Sequence, residues 1–341
     1  MKKMLMLTVG LLLVFLINGE FPASVSSVEA KEFTIRFGGT QPEGHPLTKG
    51  QYKFKELVEK NSRGSIKVGV FPASQLGGNV AMNEAVQQGT LTMTYSSLTY
   101  VGSNFEPNYN IFNLPFIITR ENLEKAYTTM DGSLMQELNS SMEKKGFKVI
   151  GYAQIGFRNI TNSKRPIEKP ADLTGIKIRL QPNEYHMTAF RLLGANPTAM
   201  DWAEVFSALQ QRVIDGQENP LDIIYANKFF EVQKYLSLTG HFFDFAGFWM
   251  NKKYFDQLPS DLQKVVLEAG LEAVKFQRQV SNEAYNDYLQ KLRGAMQVNE
   301  IKPQNLKEFQ EKVSSMYKDY LSKTANKELT QKVFESLGVK Y

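Results

Sequence analysis

Strand-like and helical runs alternate along this 341-residue chain, and this alternation restricts the fold more than any other feature. Residues 33–38 and 65–71 have strand patterns, and residues 48–61 between them have a helical one. Helices that connect strands imply a parallel sheet covered on both faces. A chain of this length favours two lobes over one. Further predicted elements are strands at residues 91–96, 147–153 and 175–180 and a helix at residues 78–89.

The C-terminal third is predicted to be helical. After Pro259, a helical pattern continues from residue 260 to about residue 293 without another proline, which is unusually long for a globular protein. A helix of that length can lie across both lobes and brace them. The last two predicted helices are residues 303–325 and 327–337.

The N-terminus has the pattern of a secretory signal peptide. Lys2 and Lys3 precede an apolar stretch at residues 4–17, and the sequence Val-Glu-Ala ending at Ala30 fits a cleavage site. The alternative is an uncleaved anchor, but the apolar stretch is shorter than the roughly 20 residues that a spanning helix needs. We therefore expect export, cleavage after Ala30 and a mature chain that does not span the membrane.

Cysteine is absent from the chain, which excludes disulfide bonds, a thiol nucleophile and a lipid anchor on a cleavage-site cysteine. The formal net charge is +5, and it stays +5 without residues 1–30, which carry two lysines and two glutamates. Because this excess is small and spread out, it favours anionic ligands only weakly and does not support nucleic-acid binding.

No catalytic motif is present, because the sequence lacks a P-loop, a G-x-S-x-G elbow and a G-x-G-x-x-G fingerprint. His45, His186 and His241 are too far apart for a metal-ligand motif, so we expect neither a metal nor a cofactor. His186 and His241 are best explained as hydrogen-bonded structural residues. His45 follows the first strand, at a place where open α/β sheets bind ligands.

Residues 196–220 carry the most specific local pattern, NPTAMDWAEVFSALQQRVIDGQENP. Asp201 followed by Glu204 resembles a capping box at the start of a helix. Gly216 is predicted to end that helix in a left-handed conformation, and Pro220 to stiffen the polar turn after it. Apolar residues at helical spacing are Val205, Phe206, Leu209 and Val213.

Two arginines are positioned to reach a cleft. Arg158 follows the 147–153 strand, and Arg179 lies near the end of the 175–180 strand. A guanidinium group binds a carboxylate through two parallel hydrogen bonds. The simpler alternative for either arginine is a surface ion pair.

In several segments the chain resembles the solute-binding proteins of tripartite ATP-independent periplasmic (TRAP) transporters, the DctP family. The matching segments, in order, are QLGG (75–78), QQG (87–89), LPF (114–116), GFR (156–158) with ITNSKRP close after it, GIKIR (175–179), and the 196–220 run continuing through EVQKYL. The resemblance covers nearly all of the mature chain. It implies an α/β, two-lobed periplasmic binding protein of a type II-like fold, with parallel-dominated mixed sheets flanked by helices and a long C-terminal helix bracing both lobes.

The chain departs from the family pattern in two places. Ala199 stands where the common pattern often has a second proline, and Arg212 stands where glycine is frequent.

The resemblance also suggests how the chain is divided. The expected parts are a signal peptide (1–30), lobe I (31–155 and about 245–284), lobe II (156–244 and about 285–312), and C-terminal helices packed on the lobes (313–341).

Four site residues follow from the resemblance. Arg179 is expected to pair with the ligand carboxylate, and Arg158 and Asn219 to complete the grip. Trp202 is expected to pack beside the ligand, with a core aromatic residue at a helix start as the alternative.

Polar residues at predicted strand ends of the first lobe are candidates for the rest of the pocket. They would bind hydroxyl groups of a sugar acid or a second carboxylate, and each alone is more simply explained as a loop or capping residue. These candidates are Gln41, Glu43, His45, Gln75, Asn79, Tyr95 and Ser96, with Ser97 beside them.

We therefore expect a periplasmic, monomeric protein that captures a small organic acid and delivers it to a TRAP membrane permease. C4-dicarboxylates, sugar acids, sialic acid and aromatic or keto acids all fit, and the polar first-lobe loops favour sugar acids. We expect no catalytic residue, cofactor, metal or nucleic-acid partner. Two alternatives stay open: a ligand-binding sensor component of a signalling system, and a periplasmic enzyme acting on organic acids.

Overall fold

The computed structural model describes residues 32–340. The predicted signal peptide and its cleavage site lie outside the described residues. Within the described part of the chain, no helix is both long enough and apolar enough to cross a membrane.

Nine strands and thirteen α-helices are formed by residues 32–340, with short 3-10 helices between some of them. The strands are β1 (Phe33–Gly38), β2 (Ile66–Phe71), β3 (Met93–Ser97), β4 (Phe147–Asn162), β5 (Lys177–Leu180), β6 (Asn196–Ala199), β7 (Gly216–Asn219), β8 (Tyr235–Asn251) and β9 (Gln297–Glu300). The helices are α1 (Pro46–Asn61), α2 (Asn79–Gln88), α3 (Leu98–Asn104), α4 (Leu123–Asp131), α5 (Gln136–Lys144), α6 (Glu184–Leu192), α7 (Val205–Gln210), α8 (Leu221–Ala226), α9 (Lys252–Asp256), α10 (Ser260–Ala295), α11 (Pro303–Val313), α12 (Ser315–Lys323) and α13 (Lys327–Leu337).

The strands form one continuous mixed sheet in the order β2-β1-β3-β8-β4-β7-β5-β6, with β9 beside β8. The pairs β1–β2, β1–β3, β5–β6, β5–β7 and β8–β9 are parallel, as strand–helix alternation predicts. The pairs β3–β8, β4–β8 and β4–β7 are antiparallel. The predicted mixed α/β fold is confirmed, as one sheet in which five strand pairs are parallel and three are antiparallel, the long β4–β8 pair through the middle among them.

The predicted long helix is α10, whose 36 residues extend over about 54 Å. Its first half packs into the core around β1, β2 and α1, where Val266 and Val274 are buried. Its end packs with α7 and α8, where Leu292 is buried. In its middle, the Gln277 side chain accepts a hydrogen bond from the Gln154 N–H at 2.8 Å and donates one to the Gln154 carbonyl at 2.9 Å. The helix therefore connects the β1–β2 end of the molecule with the helices beside β7.

Two predicted boundaries are wrong. The strand predicted at residues 147–153 continues to Asn162 as β4, because the 17-residue strand β8 supplies backbone partners along that length. Arg158 therefore lies within the strand and not after its end. The single helix predicted at residues 303–325 is two helices, α11 and α12, which meet at Ser314.

The start of the 196–220 run differs from its prediction. Its first four residues pair with β5 as strand β6. The Asp201 carboxylate does cap a helical start, since it accepts from the Ala203 N–H at 3.2 Å, but the α-helix covers only Val205–Gln210. Arg212 has a φ of 60° and turns the chain early. Val213, expected on the apolar face, is therefore 56% exposed.

The end of the same run is a strand instead of a polar turn. Gly216 begins β7 and does not end a helix. A Cβ at Gly216 would collide with the backbone oxygen of Thr161 on β4, so glycine is needed here for close strand packing. Pro220 precedes α8 in extended conformation, which ends the strand.

Candidate functional site

A small cavity lies where strand ends from both halves of the sheet meet. β1 and β3 reach it from one half and β5 and β7 from the other, while β4 crosses between them. The cavity offers about 30 Å³ for the centres of water molecules, which is room for about two waters, so the cleft is closed. Its lining consists of Thr40, Gln41, Leu47, Asn79, Tyr95, Ser97, Tyr100, Ile155, Arg158, Gln181, Trp202, Asn219 and Ile223.

Arg158 lies buried in the cavity wall and already has an acidic partner. Its Nε donates to Glu218 Oε2 at 2.5 Å, and its Nη2 donates to Glu218 Oε1 and to the Glu218 carbonyl oxygen, both at 2.7 Å. Its Nη1 has no hydrogen-bond acceptor among residues 32–340 and lies 3.7 Å from Asp244 Oδ2. The register of the β4–β8 pair shifts between Gln154 and Gly156 and again between Arg158 and Ile160. Such irregularities change the direction of nearby side chains, here that of Arg158 at the cavity wall.

Two buried carboxylates lie against the single positive charge of Arg158. Burial alone would raise the pKa of Glu218, but Arg158 and His241 hold that pKa well below its usual range. Burial raises the pKa of Asp244 to about 6, although Arg158 opposes the shift, and the Ser97 hydroxyl donates to Asp244 at 2.5 Å. At neutral pH, Glu218 and Asp244 are both mainly ionised, so the group of Arg158 and these two carboxylates carries a net negative charge and brings no net positive charge to the cavity.

Arg179 differs from the other buried arginines. Arg158 and Arg278 each have a carboxylate partner, whereas Arg179, 1% exposed, has none within 4 Å in the described part of the chain. Its Nε and Nη2 donate to the carbonyl oxygen of Met200 at 3.0 and 2.7 Å. Arg179 does not line the cavity. Its Nη2 lies 3.5 Å from the hydroxyl of Tyr100, and Tyr100 does line the cavity. One side chain therefore separates this cation from the cavity.

Asn219 and Trp202 both line the cavity. Asn219 lies opposite Asn159 in the β4–β7 pair, which holds it beside Arg158, and its Nδ2 donates to Gln217 Oε1 at 2.5 Å. The Trp202 ring packs against Phe229, with 5.6 Å between ring centres, and the Arg179 guanidinium lies 6.0 Å from its centre. Trp202 is therefore part of both the cavity wall and the core beside it.

Three of the first-lobe candidates line the cavity, namely Gln41, Asn79 and Tyr95, and so does Ser97. The Tyr95 hydroxyl accepts from the Gln41 N–H at 2.9 Å. Gln41 Oε1 accepts from the Asn227 side chain at 3.0 Å, which links the loop after β1 with the segment after α8.

The other first-lobe candidates lie outside the lining of the closed cavity. Glu43 and Gln75 are exposed. Ser96 is buried behind the cavity, where its hydroxyl donates to Asn83 at 3.0 Å and accepts from Trp249 at 3.0 Å.

His45 also lies outside the lining and caps α1, since its Nδ1 accepts from the Leu47 N–H at 3.1 Å. Its Nε2 is 3.5 Å from Asp222 Oδ2, and both side chains are buried. Burial lowers the pKa of His45 to about 3 and raises the pKa of Asp222 to about 7. Burial thus disfavours the charged form of each partner.

Six residues of the cavity lining were not predicted from the sequence, namely Thr40, Leu47, Tyr100, Ile155, Gln181 and Ile223. Gln181 lies one residue after β5, and its Oε1 is buried without a hydrogen-bond partner among residues 32–340. Side chains two positions apart along a strand point to the same side, so the position of Gln181 relative to Arg179 was an available signal. Tyr100 lies in α3, directly after β3, and strand ends were a signal there too.

Comparisons with known proteins identify the family of this chain. The family model of bacterial extracellular solute-binding proteins, family 7 (DctP), matches residues 37–324. The 2,3-diketo-L-gulonate-binding periplasmic protein YiaO of Escherichia coli is 37% identical over 258 residues, which cover 75% of this chain and 77% of YiaO.

Solved structures are also similar. The sugar acid binding protein DctPAm from Advenella mimigardefordensis, in complex with galactonate, matches with a TM-score of 0.86 and 34% identity, covering 91% of this chain and 99% of that one. A TRAP periplasmic solute-binding protein from Sulfurospirillum deleyianum with bound succinate matches with a TM-score of 0.82 and 31% identity, covering 89% and 98%. The chain therefore belongs to the DctP family of bacterial extracellular solute-binding proteins, as the resemblance of its sequence motifs indicated.

Proposed function

We propose that this protein binds a small organic acid in the cleft between its lobes, with the ligand carboxylate on Arg179. The observation that carries the proposal is that Arg179 is buried beside the cavity without an acidic partner in residues 32–340. An unpaired buried charge is unfavourable, and a ligand carboxylate supplies the missing counter-charge. Galactonate and succinate, bound by two similar proteins, both carry such a group.

Arg158 and Asn219 complete the grip in this proposal. Arg158 Nη1 is a buried donor without an acceptor in the described residues, and it lines the cavity together with Asn219. Because Glu218 holds the other two guanidinium nitrogens, Arg158 contributes one aimed hydrogen bond and no net charge. Trp202 forms a wall of the pocket.

Ligand entry requires the lobes to separate, because the closed cavity has room for about two waters. Hinge motion of this kind is common in two-lobed binding proteins. The long strands β4 and β8 cross between the two sides of the cleft and are the natural hinge elements, with α10 as a brace behind them. The lobe boundaries given above remain part of this proposal.

The proposed pathway has no chemical step. The chain is exported, cleaved after Ala30, captures its ligand in the periplasm as a monomer and delivers it unchanged to a TRAP membrane permease. Membership of an extracytoplasmic solute-binding family supports this sequence of events.

A thermal-shift screen of the mature chain against a panel of organic acids tests the proposal. A ligand at a hundred times its dissociation constant stabilises the folded state by about 2.7 kcal/mol, which is a measurable shift. We expect at least one carboxylic acid to do so and to be recovered unchanged after incubation. Stabilisation by none of the acids, or chemical conversion of the bound acid, contradicts the proposal.

A further inference from the structure

Two hollows lie on the far side of β4 from the closed cavity, and they share Arg120, Phe157 and Tyr285 in their walls. Arg158 lines the cavity, whereas its neighbour Phe157 lines both hollows, since consecutive side chains of a strand point to opposite sides. The hollows offer about 400 and 550 Å³ for the centres of water molecules, against about 30 Å³ in the cavity. The cleft is therefore closed while these two hollows, together the hinge-side groove, are open.

One side chain crosses the hinge-side groove. Arg120 lies between the rings of Phe157 and Tyr285, with its guanidinium carbon 4.9 and 4.6 Å from the ring centres. Among residues 32–340, this guanidinium has no carboxylate within 4 Å and no hydrogen-bond acceptor. Attraction between a cation and the faces of aromatic rings therefore holds Arg120 in place.

The three residues of this stack belong to different lobes. By the lobe boundaries proposed above, Arg120 is in lobe I, while Phe157 and Tyr285 lie within two residues of the points where β4 and α10 pass into lobe II. Phe243, on β8 close to the third crossing point, packs against Phe157 with 4.8 Å between ring centres. The Arg120 side chain thus connects lobe I with lobe II at the hinge itself.

The position of the groove relates its width to the state of the cleft. A rotation that opens the cleft on one side of β4 narrows the groove on the other side, because the hinge elements lie between the two. The groove cannot narrow without compressing the Arg120 stack or separating it from a ring. Both effects are unfavourable, so the stack favours the closed form.

We infer that Arg120 is a positioning residue for ligand capture, which keeps the hinge-side groove open and thereby holds the cleft closed without contacting the ligand. The inference rests on the hinge motion in the proposed function, but not on the identity of the acid. It follows that emptying the groove favours the open form and that filling the groove favours the closed form.

Interlobe distances measured without any acid test the inference. Because the chain contains no cysteine, spin labels attach only to cysteines introduced at two exposed positions, Lys60→Cys in α1 and Gln211→Cys after α7. Pulsed electron paramagnetic resonance then gives the open and closed fractions. We expect Arg120→Ala to raise the open-to-closed ratio about five- to tenfold, the effect of losing two exposed cation–π contacts. Ser281→Trp, which places an indole in one hollow, should lower that ratio.

Two variants serve as matched controls. Arg36→Ala removes an exposed guanidinium on β1 that lies 5.5 Å from the centre of the Phe71 ring, away from the groove. Gln279→Trp adds an indole at an exposed position of α10 that lines neither hollow. Both should keep the wild-type distances, and thermal unfolding reports whether each variant is folded.

Binding kinetics give a second measurement, by stopped-flow fluorescence with D-galactonate or, if that does not bind, succinate. We expect Arg120→Ala to raise the dissociation rate about five- to tenfold and to change the association rate less than about twofold, because Arg120 acts after the acid has entered. Arg120→Lys keeps the charge but loses the planar group that stacks on the rings, so its dissociation rate should be intermediate.

The outcomes separate the two proposals. Wild-type distances in both folded variants, Arg120→Ala and Ser281→Trp, or a shift of Ser281→Trp toward the open form, overturn the inference and leave acid binding intact. Opposite shifts of the two variants, in a protein that no acid of the panel stabilises, overturn the proposed function and leave the role of Arg120. A single unchanging distance in every variant, with and without acid, overturns the hinge motion and the inference together.

Discussion

Replacing Glu218 with glutamine tests the most buried charge pair at the site. The Arg158 and Glu218 side chains are 1% and 0% exposed, and the carboxylate accepts from Nε at 2.5 Å and from Nη2 at 2.7 Å. Glutamine keeps the shape but removes the counter-charge and turns one acceptor into a donor facing the guanidinium. Removing one partner of a buried pair costs about 3–5 kcal/mol.

The structure favours the lower end of that range. The backbone carbonyl of Glu218 still accepts from Arg158 Nη2 at 2.7 Å in the variant, and Asp244 lies 3.7 Å from Nη1 as a second negative charge. We therefore expect Glu218→Gln to lower the free energy of unfolding by about 3 kcal/mol. Urea denaturation of the mature chain at pH 7 without ligand measures this loss.

A double-mutant cycle separates the pair from its surroundings. Arg158→Met removes the cation, so the Arg158→Met/Glu218→Gln protein should be clearly more stable than the sum of the single losses predicts, by about 2 kcal/mol. Glu328→Gln breaks an exposed pair with Lys332 and should cause no measurable change. A loss below about 1 kcal/mol in Glu218→Gln, or additive single losses, would refute the assignment of Glu218 as the counter-charge of Arg158.

Three further predictions concern binding, pH and packing. Arg179→Ala should weaken binding of the acid selected in the screen by about a hundredfold or more, and Arg179→Lys by less, measured by calorimetry; unchanged affinity would remove Arg179 from the site. Between about pH 4 and 6.5, unfolding adds a proton to His45, because its folded pKa is about 3, and removes one from Asp222, because its folded pKa is about 7. The two proton changes are opposite, so their contributions to the pH dependence of stability cancel in the wild type. In Asp222→Asn only the proton uptake by His45 remains. The free energy of unfolding in urea, taken as variant minus wild type, should therefore rise with pH by up to about 1.4 kcal/mol per unit. A difference that does not change with pH would contradict the opposed pKa shifts of His45 and Asp222. Gly216→Ala should lower the free energy of unfolding by about 1–3 kcal/mol, because the new Cβ meets the β4 backbone. Gly294→Ala in α10, where a Cβ has open space, should raise it by about 0.5–1 kcal/mol. Similar effects of the two variants would argue against close packing at β7.

The local elements were predictable because their signals come from neighbours in the sequence. The helical period and the absence of proline after Pro259 were enough to predict α10, and the strand at residues 33–38 is β1 with the predicted bounds. The elements that were mispredicted depend on partners elsewhere. β4 is more than twice the predicted length because β8 pairs with it across a long sequence separation, and Gly216 is in a strand because β4 lies against it.

The sequence by itself determined the fold class, the family motifs and the residue types that can bind a carboxylate. Tertiary structure decided their electrostatic state, since Arg158 is paired with a glutamate 60 positions away, while the hydrogen-bond partners of Arg179 among residues 32–340 are the Met200 carbonyl and the Tyr100 hydroxyl. It also decided that the Gln181 amide oxygen is buried without a hydrogen-bond partner among residues 32–340. Charge balance and hydrogen-bond satisfaction depend on distances between residues far apart in the chain, and the sequence pattern around each residue does not contain those distances.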